Sequence, residues 1–255
     1  MLKPLKSVHV NRPSGLFITG TDTAVGKTLI TAGLAAVLRA RGIDVGVMKP
    51  VETGCPERYG RLVPSDSLVL REASRSGDSM DLINPYRFRE ALAPMVAAER
   101  AGQVIKIGKV HTRFGALARR HRVVLVEGAG GVMVPLTEKA AFLDLAALLR
   151  LPLVLVVGSR LGAINHARLT VDAVLRAGVP LAGAILNRTK RDRSRADTTN
   201  LSALRRLLPV PVVAEIPYLP RVRGRALWRN SRLQRLLVRA LPQLLPGLGD
   251  LSHLR

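Results

Sequence analysis

Gly26-Lys27-Thr28 is the strongest chemical signal in the chain. A glycine, a lysine and a hydroxyl in that order, at the start of a helix, are the parts of a phosphate-binding loop. Unpaired backbone N–H groups and the helix dipole face the anion, the lysine reaches the terminal phosphates, and the hydroxyl takes a place on a bound Mg2+. The apolar run Leu16-Phe17-Ile18 ahead of it reads as a buried parallel strand. Leu29, Ile30, Leu34 and Val37 behind it read as one face of a helix from Lys27 to about Arg41, stopped by Gly42. Thr21, Asp22, Thr23, Ala24 and Val25 then form the loop between Gly20 and Gly26, one residue longer than the generic pattern.

Further chemistry gathers where the pattern places strand ends. Val45 to Met48, Val123 to Val126, Leu153 to Val157, Ala182 to Leu186 and Val212 to Ile216 are short β-branched runs. Between them lie helical patterns from Asp66, with Ser65 or Asp66 as its cap, and over Ile107 to Arg120, Phe142 to Leu149, Asn165 to Ala177 and Leu201 to Leu208. Residues 53–65 and Asn84 to Pro94 read as irregular. Alternating strands and helices predict an α/β fold, a single P-loop domain whose mostly parallel sheet carries helices on both faces. In such a sheet ligands collect beyond the carboxyl ends of the strands. Those ends offer Lys49 and then Thr53, the run Glu127-Gly128-Ala129-Gly130-Gly131, the turn Gly158 to Asn165, and Asn187, while Asp66 can fold back over the site.

These residue types suit phosphoryl transfer. Thr28, Asp66 and Glu127 are hard oxygen ligands for Mg2+, which takes a few carboxylates and completes its shell with phosphate and water. Lys27 and Lys49 place positive charge at a transferring phosphoryl group. Gly128, Gly130 and Gly131 let the backbone come close to a ligand.

The 255 residues suffice for a full core, and the lone Cys55 allows no internal disulfide. No apolar run nears the ~20 residues of a membrane span. The longest, Leu151 to Gly158, contains Pro152. His9, Asn11 and Arg12 stand where a signal peptide is apolar, so the expected location is cytoplasmic, with no membrane partner. A net charge of +22 favours anionic partners in general. Its arginines are spread along helices with few aromatics to stack bases, which predicts no specific nucleic-acid binding. The expected organisation is a loose leader over 1–14, a catalytic domain over 15–220 and an arginine-rich tail over 221–255. Trp228, Leu233, Leu236 and Leu237 give that tail one amphipathic helix, packed on the core edge or turned toward an anionic surface, with Pro242, Pro246, Gly247 and Gly249 then breaking order.

Taken together, Gly20 to Thr28, Lys49-Pro50-Val51-Glu52-Thr53-Gly54, Ser65-Asp66, Asn84-Pro85-Tyr86, Val126 to Gly131, Leu161 to His166, Leu186-Asn187 and Glu215-Ile216-Pro217 resemble the dethiobiotin synthetases, in order and over roughly Leu16 to Leu219. The resemblance implies ATP-dependent closure of a ureido ring on 7,8-diaminononanoate with CO2, through a carbamate and its mixed anhydride with phosphate, in a homodimer that uses Mg2+. It implies that Thr21 to Thr28, Asp66, Glu127, Gly128, Ala129, Gly130, Asn187 (reading the adenine) and Pro217 bind the nucleotide. It implies Lys49, Lys27 and Thr23 as catalytic groups, and Thr53, Lys49 and the turn Gly162-Ala163-Ile164-Asn165 as the substrate site. Ala24 stands where some relatives carry an acid, and the tail has no clear counterpart. A partitioning ATPase wants a signature lysine early in the loop, where this chain has Thr21 and Asp22. A P-loop switch or a basic nucleic-acid-binding protein is the alternative from another class.

Overall fold

The structure, a computed structural model, describes residues 14–191, 194–220 and 226–246. The leader through residue 13, Arg193, Arg221, Arg223, Arg225 and the Gly247 and Gly249 break lie outside the described residues. Strand β1 (Gly15–Gly20) runs through the loop into α1 (Lys27–Ala40) and back to β2 (Val45–Met48). A long excursion follows through β3 (Val51–Glu52), β4 (Glu57–Arg58), β5 (Arg61–Leu62), α2 (Ser65–Ser74), α3 (Met80–Ile83), β6 (Tyr86–Arg87), α4 (Pro94–Arg100) and α5 (Ile107–Arg120). The chain then makes β7 (Val123–Glu127), the hairpin β8 (Pro135–Thr137) and β9 (Ala140–Ala141), α6 (Phe142–Leu149) and β10 (Leu153–Gly158). It finishes with α7 (Ala163–Arg176), β11 (Leu181–Asn187), α8 (Arg195–Leu207), β12 (Val212–Ile216), a 3-10 turn at Leu227–Arg229 and α9 (Ser231–Leu244).

The central sheet has six strands in the order β12-β11-β10-β1-β7-β2, every pairing parallel. Successive strand residues face opposite sides, and β1 shows the consequence. Leu16 and Ile18 join a core with α1, α2 and α9, whereas Phe17 joins the opposite core with α5 and α6. A third cluster packs Leu155, Val157 and Leu186 against α7 and α8. Burial on both faces explains why these strands read as unbroken apolar runs. The first crossover, from β1 to β2, passes over β7, while β10 lies on the other side of β1. The loop after β1 therefore opens at the point where the strand order reverses, the usual place for a ligand crevice.

Several boundaries differ from the sequence reading. Helix α8 begins at Arg195, not near Leu201, with Ser194 as its cap accepting from the Asp197 N–H at 3.2 Å. Its first half escapes the apolar periodicity because its buried residues there are polar, Asp197 and Asn200. The 53–65 stretch contains the β4–β5 hairpin, and the irregular stretch after Asn84 contains β6 and the start of α4, with Pro94 at the first helical turn. Neither Ser65 nor Asp66 caps α2; Pro64 holds that position without a side-chain acceptor. Pro242 lies inside α9, which continues to Leu244.

Helix α9 packs into the main core. Leu233, Leu237, Ala240, Leu241 and Leu244 are buried, while Arg232, Arg235 and Arg239 point outward. Its close approach to α1 depends on Gly33, where an added Cβ would stand 2.5 Å from Leu237 Cδ1. Truncating the fully buried Leu237 to alanine is expected to cost about 3 kcal/mol of unfolding free energy, measured by urea denaturation. A loss within the noise of a surface substitution would show that α9 is not part of the cooperative core.

Candidate active site

The phosphate loop is shaped by side chains that key it to the sheet. Thr21 N–H donates to the Val156 carbonyl at 3.0 Å, continuing the β1–β10 ladder by one residue. Val25 is buried in a hollow left by two glycines: a Cβ on Gly20 would lie 2.7 Å from its Cγ2, and one on Gly158 3.0 Å from its Cγ1. Ala24 is left-handed at φ 55° and Gly26 at φ 99°, the backbone cost of turning a tight loop into a helix. Gly26 is also the only residue that fits, because a Cβ there would sit 2.2 Å from Asn187 Nδ2. Asn187 Nδ2 donates to the Val25 carbonyl at 2.8 Å, so the last residue of β11 clamps the loop from the far side. Helix α1 begins without a capping side chain and without an acid in its first turn, leaving its N–H groups open to an anion.

Four charged groups and one hydroxyl meet at the ends of β1, β2 and β7. Lys49 is 3% exposed and its Nζ donates to Asp66 Oδ2 at 2.7 Å and to Glu127 Oε1 at 2.5 Å. Glu127, fully buried, also accepts from the Thr28 hydroxyl at 2.8 Å. Lys27 is 6% exposed and its Nζ donates to the Asp22 carbonyl across the loop at 2.8 Å. Burial, and then the nearby Lys49 charge, lower the Lys27 ammonium to about 8. Burial pulls Lys49 the same way, but Glu127 and Asp66 outweigh it and raise its pKa above the ordinary value. Burial pushes the Asp66 carboxyl up, and the Lys49 charge and hydrogen bond bring it below the ordinary carboxylate range. The Lys49 backbone is pinned as well: its N–H donates to the Ile83 carbonyl at 2.7 Å and its own carbonyl accepts from Asn84 Nδ2 at 2.8 Å.

The glycine run after Glu127 passes along this loop. Gly128 N–H donates to the Ile18 carbonyl at 2.9 Å, and a Cβ on Gly131 would lie 3.3 Å from the Gly20 carbonyl oxygen. Gly130, left-handed, faces the Thr23 methyl at 3.9 Å from an added Cβ. Ala129 follows on the same segment, half-buried. Asp22 accepts from the Thr23 N–H at 2.7 Å and pairs with Arg160, tying the loop to the segment before α7. The Thr23 N–H first, then opposing burial, then Arg160 set the Asp22 carboxyl below its ordinary value.

Other expected site residues lie farther out. Thr53 follows β3, half-buried, with no hydrogen-bond partner for its hydroxyl among the described residues. Pro217 follows β12, beside Arg188, which pairs with both Asp197 and Glu215. The turn Gly162-Ala163-Ile164-Asn165 opens α7, again uncapped and without a first-turn acid. It lines a groove of about 770 Å3 between α7 and α8, with Arg168, Leu169, Leu175 and Leu207. No hydrogen bond or ion pair joins this turn to Lys49 among the described residues.

Two contributors escaped the sequence reading. Arg160 carries no local signal, being an exposed arginine in a basic chain. Glu52 did leave one: Pro64 before α2 cannot cap it, so the first N–H groups of that helix need an acceptor from elsewhere. The Glu52 carboxylate supplies it, with its pKa raised by burial against the lowering effect of its Ser67 hydrogen bond.

Among the described residues no group of three or more His, Cys, Asp and Glu side chains is placed to hold a metal. The donor set is instead two carboxylates and a hydroxyl, and Glu127 Oε2 is a buried oxygen without a hydrogen-bond partner. That set fits Mg2+ in the presence of phosphate oxygens, which supply the remaining ligands.

Comparison with known proteins gives the family of the chain. A family model described as an AAA domain matches residues 14–226. The chain is 42% identical over 212 residues to a protein of Anaeromyxobacter dehalogenans strain 2CP-C named ATP-dependent dethiobiotin synthetase BioD, covering 83% of this chain and 93% of that one. Proteins of the same name from Thermodesulfovibrio yellowstonii and Bacillus subtilis strain 168 are each 38% identical, over 81% and 82% of this chain and 89% of theirs. Among solved structures, the cell division ATPase MinD of Pyrococcus furiosus superposes with a TM-score of 0.61 at 18% identity, covering 91% of this chain and 98% of that one, a likeness of fold alone. From the phosphate loop through the Glu127 strand end, the chain belongs to the ATP-dependent dethiobiotin synthetase family.

Proposed function

We propose that this protein converts 7,8-diaminononanoate, CO2 and ATP into dethiobiotin, ADP and phosphate, as the names of its relatives indicate for them. The observation that carries the reading is the Lys49 ammonium held between Asp66 and Glu127 beside the phosphate loop. One substrate amine adds to CO2 and loses a proton, giving a carbamate. A carbamate oxygen then takes the γ-phosphoryl group and releases ADP. The second amine attacks the carbamoyl carbon, phosphate leaves, and the ureido ring closes. Lys49, with the Thr23 and Thr53 hydroxyls, holds the anionic carbamate toward the γ-phosphate. Lys27 exchanges its Asp22 carbonyl for the phosphates and follows the charge of the transferring group. Thr21 to Gly26 and Gly128 to Gly130 wrap the phosphates, and Asn187 and Pro217 flank the base. Thr28, Asp66 and Glu127 would hold Mg2+, which neutralises charge on the β- and γ-oxygens when bound. Both amines belong to one bound molecule, so ring closure is intramolecular.

The Gly162 to Asn165 turn offers open N–H groups to the substrate carboxylate. Around it Leu161 is 86% exposed, Leu169 62% and Leu175 50%. An apolar face of this kind favours a second copy of the chain covering the turn, in a homodimer. No helix of the described residues is long and apolar enough to cross a membrane, and we place this biosynthetic enzyme in the cytoplasm. The switch and nucleic-acid-binding alternatives are not favoured beside relatives of this name.

Incubation with Mg-ATP, the diamine and 13C-bicarbonate tests the reaction, with the label appearing in the ureido carbon of dethiobiotin by mass spectrometry. Label retained only in bicarbonate contradicts it. Glu127→Gln is expected to raise the Mg2+ concentration for half-maximal turnover about tenfold; an unchanged titration removes Glu127 from the metal.

A further inference from the structure

Asp66 is delivered to the site by a helix that has no cap of its own. Pro64 stands at the N-cap with no side-chain acceptor, so the first N–H groups of α2 depend on a distant residue. Glu52 Oε1 accepts from the Asp66 N–H at 2.9 Å, and Oε2 from the Ser67 N–H at 3.0 Å and the Ser67 hydroxyl at 2.6 Å. Glu52 is 5% exposed and Ser67 fully buried. A buried carboxylate is tolerated only when donors surround it, and here all three hold the opening turn of one helix.

Glu52 is itself fixed from behind. Strand β3 pairs with β6, and the Glu52 carbonyl accepts from the Phe88 N–H at 2.9 Å. Lys49 and Glu52 sit on the same short segment, Lys49-Pro50-Val51-Glu52. That segment sends the Lys49 ammonium to the Asp66 side chain at 2.7 Å while its Glu52 carboxylate grips the Asp66 backbone. An ordinary serine or aspartate cap would secure the helix equally well, but it would leave the helix free to shift relative to Lys49.

We propose that Glu52 is a positioning residue for the metal–phosphate site: by capping α2 from the Lys49 segment it sets the Asp66 carboxylate in register with Lys49, Thr28 and Glu127. This rests on Asp66 being a metal ligand, as read above. Loss of Glu52 then weakens metal binding through Asp66 rather than nucleotide binding or the fold at large.

The test uses Mn2+ as a probe, titrated by electron paramagnetic resonance into the full-length protein saturated with ADP. Wild type is compared with Glu52→Gln, Ser67→Ala and Asp66→Asn. Glu52→Gln keeps the size but turns one acceptor oxygen into a donor facing a donor. It is expected to weaken Mn2+ about tenfold and to leave the ADP affinity without metal within twofold, while hydrogen exchange at the Asp66 and Ser67 amides speeds up. Ser67→Ala, which removes one donor and spares the fold if Glu52→Gln does not, is expected to weaken Mn2+ by about threefold. Faster amide exchange in Glu52→Gln with unchanged Mn2+ affinity overturns the proposal, leaving Glu52 as a cap only. Unchanged Mn2+ affinity in Asp66→Asn overturns it too, and locates the error in the reading of Asp66 as a ligand.

Discussion

Lys49→Met is expected to lower kcat by about a thousandfold and to destabilise the nucleotide-free protein by about 3 kcal/mol. The two effects share one origin. Among the described residues the Lys49 ammonium is the only cation in hydrogen-bond contact with Glu127, which is fully buried, and it also bridges to Asp66. Methionine fills the same space without charge, so two carboxylates face each other with no cation between them. The same substitution removes the group that holds the carbamate toward the phosphoryl group. A double measurement separates the effects: thermal unfolding without nucleotide reads the lost ion pair, and single-turnover kinetics with Mg-ATP read the lost catalysis. Wild-type turnover in Lys49→Met removes Lys49 from the chemistry, whatever it does for stability.

The second large effect belongs to Lys27 and has a pH signature. Its ammonium is lowered to about 8 by burial and by the Lys49 charge. In the free protein Lys27 is therefore charged below about pH 8 and increasingly neutral above it, and only the charged form attracts the γ-phosphate. The sign is fixed by that: kcat/KM for ATP is expected to be flat below pH 8 and to fall toward a tenfold loss per unit above it. Lys27→Ala is expected to lower kcat/KM about a thousandfold and to abolish the inflection near pH 8. A retained inflection in Lys27→Ala assigns the titration to another group. The fold should not suffer: the Lys27 ammonium hydrogen-bonds one backbone carbonyl, and burial with the Lys49 charge outweighs the pull of Glu127, Asp66 and Asp22, so removing the charge relieves a cost.

The sequence made the site's chemical groups legible, and the reason lies in the topology. Lys27, Thr28, Lys49 and Glu127 follow directly from β1, β2 and β7, so recognising apolar strands was enough to bring them to one edge of the sheet. Asp66 could be placed there because it opens a helix after a long loop. What supports these groups was less visible. Glu52 reaches a backbone amide fourteen residues ahead, from a strand of two residues that no periodicity marks. The start of α8 was hidden because Asp197 and Asn200 are buried with polar partners, Ser159 among them. Asn187 reads in sequence as a base contact, and nothing in the sequence shows the second task its amide has in the structure, donating to the Val25 carbonyl and so shaping the phosphate loop. Pro242 misled in the opposite sense: near a helix end it looks like a stop, yet the apolar stripe from Leu233 to Leu244 holds the last turn in place.

The central claim is that the phosphate loop and the Lys49 cluster serve a diamine substrate. It is tested most directly by ADP release from the purified protein with Mg-ATP and bicarbonate, with and without 7,8-diaminononanoate. The predicted result is little ADP without the diamine and strong stimulation with it, one dethiobiotin formed for each ADP. Hydrolysis at the same rate with and without the diamine would contradict the account and make this chain a substrate-independent ATPase.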